Sequence, residues 1–168
     1  MNTLLLLLAL AFGDPVPEAE LAPRPYTTEQ IRDHFAAGSV IKFRLHSAEG
    51  DILRRTEFTA VTDDTCTMST INQALDGTPL ILPQVTTVPW SDLRDHASWP
   101  AKEIVRTEGS VTVAIGTFDA WIYTHSPANA PGQTITYWFA KDLPGPPVKV
   151  SAIDKGVEVE TMELIERK

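Results

Sequence analysis

The side chains of this sequence that could move a proton are few and scattered. Asp95 and His96 stand next to each other, an acid and a base in one stretch, which is the raw material of general acid–base chemistry. Their spacing works against it. In a helix, adjacent residues point about 100° apart, so the two do not face one another. His34, His46 and His125 lie in three other stretches, and no two histidines have metal-ligand spacing. Cys66 is the only cysteine, so no disulfide within the chain and no zinc site on a cysteine pair can form. It sits in an alternating run, 66–71, where a thiol reads as a small buried hydrophobe. A nucleophile would need a base and an electropositive setting, and neither is near in sequence. Gly-x-Ser-x-Gly elbows, phosphate-cradling Gly-rich loops and EF-hands are missing from the sequence. No catalytic residue, metal ligand or cofactor is therefore expected.

The aromatic residues offer a different chemistry. Trp121, Tyr123 and Trp138 fall in runs that read as neighbouring strands, and alternation at period two puts Trp121 and Tyr123 on one face. Two uses are open. The rings fill an interface between sheet and helix, or they line an apolar cleft for a lipid-like ligand. In the second case Arg94, His96 or Lys141 at the rim would meet a polar head group. These six residues, Arg94, His96, Trp121, Tyr123, Trp138 and Lys141, are the candidate ligand-binding set.

Strands must position most of them. Residues 40–46 alternate cleanly: Ile41, Phe43 and Leu45 point one way, Lys42, Arg44 and His46 the other. Residues 52–62 and 66–71 read as the next two strands. Asp76-Gly77 signals a hairpin, with a short fourth strand at 80–82 between Pro79 and Pro83. Residues 102–108 follow as a strand, Glu108-Gly109-Ser110 as a turn, and 111–115 as another strand. Gly116 marks a bulge or break before 121–124. Residues 134–139 and a closing hairpin, 148–153 with 157–166 around Asp154-Lys155-Gly156, complete the run. The prolines of 141–147 cannot pair inside a sheet.

Two short helices are expected. Thr27 with Gln30 forms a capping box for residues 26–38, Ile31 and Phe35 share a face, and Gly38 suits the position just past the end. A second lies in 90–99, capped by Ser91 and bracketed by Trp90 and Trp99. Connections too short for crossover helices imply an antiparallel meander. The expected fold is α+β: a curved, mostly antiparallel sheet of about eight or nine strands with two short helices. A closed up-and-down barrel is the alternative.

The run Gly116-Thr117-Phe118-Asp119-Ala120-Trp121, then Tyr137-Trp138-Phe139-Ala140, then Pro147-Val148-Lys149-Val150 resembles the C-terminal part of a group of uncharacterised bacterial exported β-domains. These are distantly similar to the LolA-like lipoprotein-carrier superfamily. The resemblance covers roughly the last third of the chain. It implies a curved antiparallel sheet over a hydrophobic concavity and brings no catalytic residue with it.

Address and partners follow from the rest. Residues 4–12 form an apolar run of about nine, against about 20 needed to span a bilayer. With small residues at Ala11 and Gly13, it reads as a signal peptide, residues 1–13, although no Lys or Arg precedes it. No transmembrane segment is expected in the mature chain. Residues 14–25 hold four prolines and read as a polar linker, and 26–168 as a single β-rich domain. A net charge of −8 disfavours nucleic acid, which needs clustered Lys and Arg. The leading functional reading is an exported soluble binding or carrier-like protein, periplasmic or extracellular, with a hydrophobic small molecule or lipid as ligand. The second is a structural or protein-interaction module with an envelope protein as partner; the third is a hydrolase.

Overall fold

Alternating apolar and polar side chains let a strand bury one face and wet the other. The computed structural model describes residues 17–127 and 129–168, and nine such strands form one antiparallel sheet among them. The apolar run expected as a leader lies outside the described residues. The chain enters with α1, Thr28–Arg32, then runs through β1, Val40–Ser47, β2, Gly50–Val61, β3, Thr65–Gln73, and β4, Gln84–Pro89. After α2, Trp90–Asp95, come β5, Ile104–Val113, β6, Gly116–His125, β7, Gln133–Ala140, β8, Lys149–Asp154, and β9, Val157–Arg167. The strand order is β4-β3-β2-β1-β9-β8-β7-β6-β5. Two meanders are thus joined where the last strand pairs with the first. That seam is closed by Val40 and Lys168, which exchange two backbone hydrogen bonds of 2.9 Å.

The sheet must curl. Eight spacings of about 4.8 Å would set the edge strands of a flat sheet about 38 Å apart. The connector from β4 to β5, residues 90–103, joins opposite edges. With α2 in it, it reaches at most about 40 Å when everything else is fully extended. It also contains a 3-10 turn at Ala101–Glu103, so it bridges the edges only if the sheet bends toward it. The result is a concave face crossed by the connector, with α1 and the segment 21–26 beside it. β4 and β5 do not pair with each other among the described residues, so the sheet stays open and the barrel alternative is excluded.

Several local readings change. The fourth strand is Gln84–Pro89, not 80–82. Pro79 and Pro83 remove donors around 80–82, while the β-branched run Val85 to Val88 pairs with β3. Glu108-Gly109-Ser110 is not a turn: β5 passes straight through it. A Cβ at Gly109 would lie 3.0 Å from Ile122 Cδ1, so this glycine gives room to a neighbouring side chain. The turn falls at Ala114-Ile115, and Gly116 opens β6 at φ +146° rather than bulging it. α1 carries the expected capping box in both directions but ends at Arg32. Gly38 lies beyond it in the turn before β1, donating to the Phe58 carbonyl at 2.7 Å. α2 begins one residue before Ser91, with Pro89 at the cap position and no side-chain cap. Residues 18–25 lie against the domain: the Ala22 N–H donates to the Trp99 carbonyl at 2.9 Å and Arg24 Nε to Ser98 Oγ at 2.7 Å.

Candidate functional site

Residues opposite one another in an antiparallel pair share a face, so the register assigns the concave side. On β1 it carries Ile41, Phe43 and Leu45; on β2, Ile52, Arg54 and Thr56; on β9, Leu164, Met162 and Glu160; on β8 and β7, Val150, Ala152, Tyr137 and Ile135. The two ends of this face are used differently.

One end is filled. Phe35 of the α1 exit stacks on Phe58 with ring centroids 4.2 Å apart, and Phe58 in turn faces Trp90. Trp90 is 1% exposed and its indole N–H donates to the Thr62 carbonyl at 2.9 Å. Trp99 of the connector lies 5.5 Å from Tyr123 and 4.9 Å from Tyr137. Tyr26 reaches the Ala140 carbonyl with its hydroxyl, and burial raises its pKa. Arg167 lies over the Phe35 ring and donates to the Leu143 and Pro144 carbonyls. This clamps the proline-rich loop onto α1. Gly145 allows the approach at φ +145°, where a Cβ would meet Phe35 at 3.0 Å. Cys66 is buried here, and desolvation pushes its thiol up to about 11, an unreactive setting.

The other end is open. Leu45, Ile52, Val150, Ala152 and Met162 line a cleft of about 240 Å³. Arg54, Asn72 and Glu160 enter it from the concave face, and His46, Ser47, Glu49 and Thr161 also line it. Arg54 Nε donates to Asn72 Oδ1 at 3.2 Å, but no carboxylate pairs with the guanidinium among the described residues. Burial among apolar neighbours holds its pKa below the ordinary value. Glu160 keeps one carboxylate oxygen enclosed and without a hydrogen-bond partner among the described residues. Burial, with Glu49 nearby, raises its pKa. The cleft is smaller than the roughly 300–1,000 Å³ of ordinary ligand pockets. It has room for about eight water-sized units at ~30 Å³ each, which suits one short hydrocarbon chain.

The six residues singled out in the sequence do not converge here. Trp121 and Tyr123 do share the concave face, since they oppose Phe139 and Tyr137. Tyr123 is wholly buried, and its hydroxyl donates to the Pro23 carbonyl. Trp121 stands near the β5 edge between two cations, Arg106 Cζ and Lys141 Nζ, each 4.1 Å from the ring. Lys141 also pairs with Glu108. Trp138 opposes Ile122 and lies on the other face of the sheet, where Lys149 approaches it. Arg94 pairs with Asp95, whose carboxyl it holds below its ordinary value. His96 donates to the Asp92 carbonyl of its own helix from Nδ1 at 2.6 Å.

His125 meets Glu103 at 3.3 Å and His46 meets Asp51 at 2.5 Å. By alternation His46 starts on the other face of β1, yet it lines the cleft beside Ser47 and Glu49. No group of three His, Cys, Asp or Glu side chains could hold a metal ion among the described residues, and no helix among them is long and apolar enough to cross a membrane.

Sequence reasoning missed Arg54. The signal was present: Ile52, Arg54, Thr56 and Phe58 alternate, so a cation sits in the inward phase of a strand that is apolar at both ends.

No protein-family model and no curated protein sequence matches the chain. Among solved structures, a Pseudomonas aeruginosa MucA/MucB complex is similar at a TM-score of 0.55 and 14% identity, over 84% of this chain and 53% of that one. MucB in complex with MucA(peri) gives 0.53 and 13%, over 77% and 49%. MucB alone gives 0.52 and 15%, over 83% and 56%. The chain spans about half the length of the chains it matches here. At these identities the likeness is one of fold.

Proposed function

We propose that the protein is an exported binding protein of the LolA-like kind whose open cleft takes a short amphiphile with an anionic head. One observation carries this: a desolvated guanidinium without a carboxylate partner, set among Leu45, Ile52, Val150 and Met162. A partly buried guanidinium that no carboxylate contacts among the described residues is under-solvated, although Glu160 and Glu49 line the same cleft, and an anion arriving with its own apolar tail relieves that cost. The tail would displace water from the apolar wall, and the head would meet Arg54. The short apolar run at 4–12 and the resemblance around Gly116 to Trp121 support the exported, envelope setting.

Isothermal titration of the full chain with decanoate tests the reading. Saturable one-to-one binding is expected, weakened at least tenfold by Arg54→Met and abolished by Met162→Trp, which fills the cleft. Unchanged affinity in both variants would place the ligand elsewhere and overturn the assignment.

A second reading, a protein-interaction module of the envelope, draws support from the solved MucB structures of this fold that hold MucA. It expects no heat from decanoate, with the cleft receiving an apolar side chain of a partner polypeptide instead.

A further inference from the structure

The charges that line the open cleft do not balance. Arg54 is the only Lys or Arg among the described residues that line it, while Glu160 and Glu49 bring two carboxylates. His46 is engaged by Asp51 at 2.5 Å. A head carrying only negative charge meets Arg54 but also faces these two acids. Glu160 is itself short of a partner: one carboxylate oxygen is enclosed, with no donor to it among the described residues. Burial, with Glu49 nearby, disfavours its charged form.

Arg54 does not supply that partner. It opposes Phe43 on β1, whereas Glu160 opposes Ser47, so β1 lies between them and their rows are four residues apart. Two strand spacings of about 4.8 Å and four rises of about 3.3 Å separate the two backbones. No ion pair joins the two side chains among the described residues. The cleft thus offers a cation and an acid at two separate points, beside a shared apolar wall of Leu45, Ile52 and Met162.

We propose that the ligand's head is zwitterionic: a phosphodiester that meets Arg54 and, a short spacer away, a primary ammonium that meets Glu160, the chemistry of a phosphoethanolamine ester. This rests on the cleft being a ligand site, as proposed above, and names the head that fits it. A guanidinium presents a planar fork that matches phosphate oxygens. Asn72 accepts from Arg54 Nε at 3.2 Å and holds that fork in place. The ammonium brings the positive charge and the donor that Glu160 and Glu49 lack. An α-amino acid head carries both charges on one carbon and does not span two points set apart in this way.

Titration calorimetry of the full chain at pH 7 with decyl phosphoethanolamine and decyl ethyl phosphate tests this, each kept below its micelle-forming concentration. The two share tail and phosphodiester and differ only in the ammonium. The first should bind at least about tenfold tighter, the gain of a charge-assisted hydrogen bond. Glu160→Gln, which removes the charge and keeps the shape, should bring the two within about threefold. Glu49→Gln, on an exposed turn, should narrow the gap in part. 2-Aminodecanoate should show no such gain over decanoate. Equal affinity for the two phosphodiesters, or a tenfold preference that survives both substitutions, would overturn the zwitterionic head and leave the cleft a ligand site. An equal gain for 2-aminodecanoate would overturn the spaced head. Binding of none of the four would overturn this head and the cleft as a ligand site together.

Discussion

The concave face is one surface built from the same strands, yet its two ends have opposite characters. At one, α1, α2 and the connector lay Phe35, Trp90 and Trp99 onto Phe58, Tyr123 and Tyr137, and water is excluded. At the other no described segment crosses the sheet, and Leu45, Ile52 and Met162 surround a cation and a partly enclosed acid. The connector runs from the far end of β4 to the opposite end of β5, so it covers the face diagonally. Its length is spent on crossing, and the corner between the starts of β2 and β9 is left bare. The difference teaches that in this fold a ligand-sized space follows from how far one connector reaches.

The comparison can be broken first by energy. Trp90→Ala removes the buried ring and its hydrogen bond to Thr62, and should cost about 3–5 kcal/mol by urea denaturation. Ile52→Ala at the open end should cost about 1 kcal/mol, within the range of partly exposed sites. Equal costs would mean that the two ends are equally packed. Next, Thr27→Ala removes half of the capping box that starts α1. It should lower stability by about 1 kcal/mol and act on the covered end alone, leaving decanoate affinity unchanged.

Arg54→Met sharpens the contrast from the other side. Replacing a desolvated cation by an apolar side chain of similar length should leave Tm unchanged or raise it, while ligand affinity falls. A marked loss of Tm would make Arg54 a structural residue.

The smallest effect concerns Glu160. Its native pKa is raised, so between its unfolded and native values the folded state binds more protons than the unfolded chain. Stability therefore falls as pH rises through that window. Glu160→Gln should be more stable than the wild type above the window and no more stable below it. Thermal melts at pH 4 and pH 8 check the sign.

Strands whose alternation is strict were legible. Residues 40–46, 134–139 and the closing hairpin with Lys155 and Gly156 at positive φ lie where periodicity and turn chemistry place them. Glycine misled the reading twice: Gly109 spares Ile122 a clash inside a strand, and Gly116 begins a strand after a turn. Both roles depend on neighbours that a single sequence does not display. The candidate site was less legible because face and end are properties of register. Trp138 and Trp121 look like partners in the sequence, yet they fall on opposite faces because Trp121 opposes Phe139. Arg54 was readable as an inward cation, but its lack of a counter-charge emerges only when β1, β9 and β3 are placed around it.

The central claim is that the open end accepts a ligand which the covered end cannot. Methyl NMR of the full chain, titrated with decanoate, tests it most directly. Saturable shifts should appear at Leu45, Ile52, Val150 and Met162 while Ile31, Ile41 and Leu164 stay still. Shifts spread evenly over both groups, or none at the cleft methyls at saturating ligand, would contradict it.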